Sequence, residues 1–231
     1  MNNSSFANPH GLDNPNLYST PYDIALLGQA IIRDLPEIYA LYSEPSFTYN
    51  GITQYNRNGL LRDGSMNVDG MKTGYTSGAG YSLASSATSG EMRLISVVMG
   101  AKSVKIREAE SKQLLSYGFR FFETVSPHQK DSVVQSQRIW YGNKNEVALG
   151  SKETVYLTLP RNDVKKLNAV IELDKTLEAP INKGDLVGSI LYYIDDEKVG
   201  ETQLVAQESV EQGGFFKRLS DWFKLLFADW F

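Results

Sequence analysis

The chain has 231 residues, 42% of them hydrophobic, a formal net charge of -4, no cysteine and two histidines. That length can bury one sizeable core or two modest ones. The missing cysteines exclude disulfide frameworks, thiolate nucleophiles and Cys-ligated zinc, and His10 and His128 are too few for a histidine metal centre, so neither metal nor cofactor is expected.

No stretch reads as a dense Lys/Arg block with interleaved aromatics, so nucleic acid is not an expected partner. No apolar run reaches the roughly 18 residues that a membrane-spanning helix needs. The opening Met1-Asn2-Asn3-Ser4-Ser5 is polar, so an export signal is not expected in these residues.

In chain order, Thr20-Pro21-Tyr22-Asp23 supplies a capping hydroxyl, a proline for the first turn and an early acid, ahead of Ile24, Leu27 and Ile31 at helical spacing. A helix is predicted to about Arg33, and Leu35-Pro36 restarts a shorter one through Ile38, Tyr39 and Tyr42. The Gly- and Asn-rich stretch from Asn50 to Gly64 reads as short strands and loops. A strand at Lys72, a second through Tyr81, Leu83 and Ser85, the Ser89-Gly90 turn and a third over Met92 to Met99 predict a small antiparallel sheet. A charged helix from Val104 to Tyr117, closed near Gly118, should pack on it.

Beyond residue 122 the helical signals stop. Strands are predicted at Arg138 to Tyr141, Thr154 to Leu159, Asn168 to Leu173, Val187 to Tyr193 and Gln203 to Ala206, with Val155, Leu157 and Leu159 facing inward. Gly213-Gly214 then precede Phe215, Phe216, Leu219, Trp222, Phe223, Leu226, Phe227 and Trp230, which fall on one side of a helix. The predicted organisation is an α/β module over 1–122, a small all-β domain over 123–210, either a sandwich or a partly open barrel, and an amphipathic helix over 211–231.

The sharpest local signal is Asp69-Gly70-Met71-Lys72-Thr73-Gly74. Lys-Thr-Gly is one of the motifs of penicillin-binding proteins and class A β-lactamases. At average composition the tripeptide occurs by chance in roughly one chain of this length in twenty, so its context must decide. Here it opens a strand followed by a strand, a turn, a strand and a helix. His10-Gly11-Leu12-Asp13, Tyr49-Asn50-Gly51-Ile52-Thr53-Gln54, Asn56-Arg57-Asn58-Gly59-Leu60-Leu61, Met66-Asn67-Val68-Asp69-Gly70 and Arg138-Ile139-Trp140-Tyr141-Gly142 accompany it.

With these segments the chain resembles, over essentially its whole length, the serine-type D-Ala-D-Ala carboxypeptidases of the low-molecular-mass penicillin-binding proteins. The resemblance implies an incomplete penicillin-binding domain, a fragment of an enzyme that removes the terminal D-alanine from peptidoglycan stem peptides through an acyl-enzyme. Lys72, Thr73, Gly74, Arg107 and Arg57 are then expected to bind substrate, and the backbone N–H of Tyr75 to be an oxyanion donor. Peptidoglycan pentapeptide and β-lactams are the implied partners. The implied location is the periplasmic face of the bacterial inner membrane, with the final helix as a peripheral anchor.

The family's Ser-x-x-Lys and Ser-x-Asn elements are expected upstream of the matching region, and no Ser-x-x-Lys occurs in these 231 residues. A serine without an adjacent base is a poor nucleophile at neutral pH, so the chain alone is expected to be inactive. A second reading therefore stays open, that of a catalytically inactive, membrane-associated module that binds peptidoglycan or a partner. Read as surface chemistry only, Arg57 is an ordinary ion-pair residue, Arg107 pairs with Glu108 or Glu110 on its helix, and His10 bonds a loop backbone.

Overall fold

The computed structural model describes residues 1–228 and divides into two compact units, Met1–Phe122 and Glu123–Phe231. In the first, α1 (Pro21–Asp34) starts where predicted, because the Thr20 hydroxyl accepts the Asp23 backbone N–H at 3.2 Å and Pro21 fills the first turn. Next comes α2 (Pro36–Ala40), continued by a 3-10 turn over Leu41–Ser43. The following stretch is more regular than its composition implied. Strands β1 (Ser46–Tyr49) and β2 (Ile52–Tyr55) form a hairpin around Asn50-Gly51, with Tyr49 opposite Ile52.

Strands β3 (Asn67–Thr76), β4 (Gly80–Ser89) and β5 (Met92–Ala101) form the antiparallel sheet in that order, so β3 lies at one side. Ser89 pairs with Met92 across the predicted turn. On this sheet lies α3 (Val104–Phe121), capped by the Ser103 hydroxyl. It runs past Gly118 rather than stopping there, and the reason is contact with the sheet. A Cβ at Gly118 would sit 2.4 Å from Leu94 Cδ1, so the glycine lets the helix approach β5 instead of ending it. Leu83, Ala87, Met92, Val98 and Leu115 are buried between these elements.

In the second unit, β6 (Phe122–Val125) and β9 (Leu157–Pro160) form a two-stranded ribbon. A five-stranded sheet comprises β7 (Val133–Arg138), β8 (Glu146–Ser151), β10 (Leu167–Leu173), β11 (Leu186–Ile194) and β12 (Glu197–Ala206), in the order β10-β11-β12-β8-β7. Ile139, Val147, Leu149, Ile190, Tyr192 and Leu204 form its core, each 0% exposed. Complete burial of a large aliphatic side chain contributes about 1.5–3 kcal/mol, so this cluster is the main stabilising element of the unit.

Two strand predictions need correction here. The strand expected at Arg138 to Tyr141 ends at Arg138, because Tyr141 adopts φ 62° and turns the chain, leaving Trp140 in a single bridge to Glu178. The strand expected from Thr154 begins only at Leu157, since the Val155 N–H goes to the His128 carbonyl, although Val155, Leu157 and Leu159 are buried as predicted.

Helix α4 (Phe215–Ala228) belongs to this second unit; Trp230 and the side chain of Phe227, both expected on its apolar face, lie outside what the structure describes. Asp221 is buried at 0% exposure. Its carboxylate accepts from Lys217 Nζ, from Arg138 Nη2 at 3.2 Å and from the Tyr141 N–H at 2.9 Å. Burial pushes this carboxyl up, but the Lys217 and Tyr141 bonds and the two cations outweigh burial and hold it below the ordinary carboxylate range.

Candidate active-site cleft

The first unit holds a cleft of about 1130 Å³. Into it the fold brings every polar residue that the motif reading selected: Lys72, Thr73, Gly74 and Tyr75 from β3, Arg57 from the loop after β2, and Arg107 from α3. The opposite wall comes from the N-terminal segment, including Phe6, His10, Leu12 and Tyr18. That segment reads in sequence as a featureless loop, and only His10 stood out there. Among the described residues lining the cleft none is acidic, while three are Lys or Arg, so the cleft favours an anion.

The three cations are held differently. Arg107 is 4% exposed. It does not pair with Glu108 or Glu110: its Nη2 donates to the Arg57 carbonyl at 3.1 Å and its guanidinium lies 5.9 Å over the Tyr81 ring, while Glu108 accepts the Gly59 N–H at 3.0 Å. Its Nε is buried with no hydrogen-bond partner among the described residues. A buried charged donor left unpaired costs more than an ordinary hydrogen bond gains. The Lys72 ammonium donates to the Thr73 carbonyl at 2.5 Å. Arg57 is exposed and makes no ion pair among the described residues, contrary to the ion-pair expectation.

Thr73 is 9% exposed, whereas Tyr75 is 58% exposed, its ring 4.3 Å from that of Tyr81. Tyr75, Tyr81 and Arg107 thus form a stack from rim to floor. Because β3 pairs only with β4 in the sheet, the Lys-Thr-Gly segment offers its other side to an extended peptide. His10 Nδ1 accepts the Leu12 N–H at 3.2 Å, a loop bond of the kind expected, while the residue also lines the cleft.

What places β3 is a cluster that sequence reasoning missed. The Gly70 carbonyl accepts from Asn58 Nδ2 at 2.9 Å and from Ser85 Oγ at 3.1 Å, and Asn58 is 0% exposed. One residue earlier, Asp69 takes the Tyr39 hydroxyl at 2.8 Å and Arg93 Nη1 at 2.6 Å. A Cβ on Gly70 would lie 2.7 Å from the Tyr39 hydroxyl oxygen, so only glycine admits that approach. Burial and the Asp69 carboxylate push the Tyr39 hydroxyl up to about 12, which keeps it a donor. Asn58 stands in a polar loop, and nothing in its spacing marks it as buried.

Two family models match the chain. Residues 1–103 match the family model described as D-alanyl-D-alanine carboxypeptidase, and residues 122–212 match that of the penicillin-binding protein 5 C-terminal domain. D-alanyl-D-alanine carboxypeptidase DacC of Escherichia coli (strain K12) is 49% identical over 232 residues, covering 100% of this chain and 58% of the relative. DacA of Haemophilus influenzae is 48% identical over 227 residues, 97% of this chain and 58% of that protein. Among solved structures, penicillin binding protein 5 from Haemophilus influenzae superposes with a TM-score of 0.78 at 48% identity, covering 90% of this chain and 61% of that one. The chain therefore spans about 58% of the length of the curated relatives it matches.

Replacing Asn58 by alanine is expected to lower the stability of the first unit by about 1–3 kcal/mol, because it removes one of two donors to a buried carbonyl and the acceptor for the Leu60 N–H. Denaturant unfolding with amide exchange read on β3 checks this; unchanged protection at Met71 to Gly74 would contradict it.

Proposed function

The chain belongs to the D-alanyl-D-alanine carboxypeptidase family, and from that premise we propose that its cleft is the carboxylate-recognising part of a serine-type active site. The substrate is a peptidoglycan stem peptide ending in D-Ala-D-Ala. The observation that carries the reading is the convergence of Lys72, Thr73, Gly74, Arg57 and Arg107 on one cleft whose described lining includes no acidic residue.

The peptide lies along β3 as an added strand, and Gly74 leaves room for its backbone. Its terminal carboxylate is bound by Arg107, whose planar fork suits two oxygens, with the Lys72 ammonium and Thr73 hydroxyl as further donors and Arg57 at the edge. The Tyr75 N–H points its dipole at the oxygen that becomes negative when the carbonyl is attacked, a contribution of about 3 kcal/mol to the transition state. In the complete enzyme a serine oxygen attacks that carbonyl, D-alanine leaves, and water frees the acyl-enzyme. β-Lactams acylate the same serine.

A second reading is an inactive module that binds peptidoglycan or a partner; the 231 residues, about 58% of the matched relatives' length, contain no Ser-x-x-Lys. Fluorescent penicillin separates the two. The first reading predicts no covalent label on the 231-residue chain alone and a label when the missing serine-bearing portion of a relative is supplied. Failure of that complementation would favour the inactive module, and labelling of the chain alone would overturn the absence of a nucleophile.

The protein works at the periplasmic face of the inner membrane, held peripherally by α4. This is supported by the exposure of Phe215, Phe216, Leu219, Trp222, Phe223 and Leu226 along one amphipathic helix. No described helix is long and apolar enough to cross a membrane. Removal of residues 215–231 is expected to abolish co-sedimentation with liposomes; undiminished binding would contradict the anchor.

A further inference from the structure

Helix α4 is attached the wrong way round for an ordinary surface helix. Such helices bury their apolar stripe and leave charge in water. Here Lys217, Asp221 and Leu225, four residues apart and so on one face, turn toward the unit, with Asp221 buried and Lys217 and Leu225 half-buried. The large side chains on the other face remain in solvent, from Leu219 at 41% to Phe216 at 83% exposure.

The attachment is a polar socket of defined parts. Arg138, at the end of β7, lies 4.7 Å over the Trp140 ring and donates Nη2 to Asp221 Oδ1. Tyr141, turned by its positive φ, aims its N–H at Asp221 Oδ2, which Lys217 also contacts. The chain leading into the helix is fixed to the same loop, through Asn143 N–H to the Glu211 carbonyl at 2.8 Å and Gly213 N–H to the Tyr141 carbonyl at 2.8 Å. A carboxylate buried among three donors is specific in direction, and leaving those donors unpaired is costly.

From this we infer that Asp221 is a latch that holds α4 on the second unit in one orientation, so that the apolar stripe meets a lipid surface as a rigid face of that unit rather than on a free tether. The lipid partner rests on the membrane reading above; the latch itself does not. A helix held only by its apolar side would have to let go of the protein in order to bind lipid. One held by its polar side binds both at once, and the entropy of ordering the helix is already spent before contact.

The chain has no cysteine, so two spin labels can be introduced without background, at exposed Ser220 on α4 and exposed Asn168 on β10. Pulsed electron resonance on the full chain is expected to give one narrow distance distribution, unchanged on vesicles of phosphatidylethanolamine and phosphatidylglycerol. Asp221→Ala is expected to broaden it severalfold in solution while vesicle binding persists. An equally narrow distribution in Asp221→Ala would overturn the latch. Should that variant disturb the sheet, seen as lost amide protection in β11 and β12, the pair Arg138→Gln with Lys217→Met is read instead; it keeps the carboxylate but strips its cations, and must broaden the distance too. Failure of the unaltered chain to bind vesicles would overturn the lipid partner alone, because the distance in solution reports the latch separately.

Discussion

The site depends on one constraint, the position of the Gly70 carbonyl. Two side chains from different parts of the fold, Asn58 in the loop after β2 and Ser85 on β4, both donate to it, and the residue before it is held by Tyr39 and Arg93. Since side chains alternate along a strand, fixing residue 70 fixes the faces on which Lys72, Thr73 and Tyr75 stand. The same loop carries Arg57, whose carbonyl holds Arg107. Strand, loop and helix therefore meet at one cluster of buried hydrogen bonds, and the cationic cleft is its consequence. Buried networks of this kind specify a unique arrangement only when their members are satisfied.

Much of this was legible in the sequence, and the reasons differ by element. Thr20-Pro21 marked the start of α1 because capping is local chemistry. Ser89-Gly90 marked the β4–β5 turn for the same reason. Gly118 misled because a glycine near a helix end has two physical uses, a stop or a close approach, and only the partner Leu94 on β5 distinguishes them. The strand over Glu146–Ser151 was overlooked, although Val147 and Leu149 are fully buried, since it follows a turn-rich stretch and offers few alternating positions. The site residues were legible through a motif and a resemblance, whereas the Gly70 cluster joins residues up to 54 positions apart, at Tyr39 and Arg93, and leaves no periodic trace.

The second unit uses the same device for another end. Its apolar core is complete without α4, which explains how the helix can be attached by a carboxylate and leave its large side chains outside. In both units a buried polar group does the positioning: a carbonyl in the first and a carboxylate in the second. Apolar burial supplies most of the stability but is tolerant of direction, while hydrogen bonds to a buried acceptor are not. Direction is what the proposed peptide recognition by β3 and the proposed lipid contact of α4 both require.

The central claim is that the Lys72, Thr73 and Arg107 cleft recognises a terminal carboxylate, independently of any nucleophile. The direct measurement is a nuclear magnetic resonance titration of the 231-residue chain with a peptide ending in D-Ala-D-Ala, beside the same peptide as its C-terminal amide. The account predicts saturable shifts at the Thr73, Gly74 and Tyr75 amides and at Arg107 Nε–H with the acid, and at least tenfold weaker binding of the amide. Equal binding of both peptides, or shifts that avoid β3 and Arg107, would contradict it.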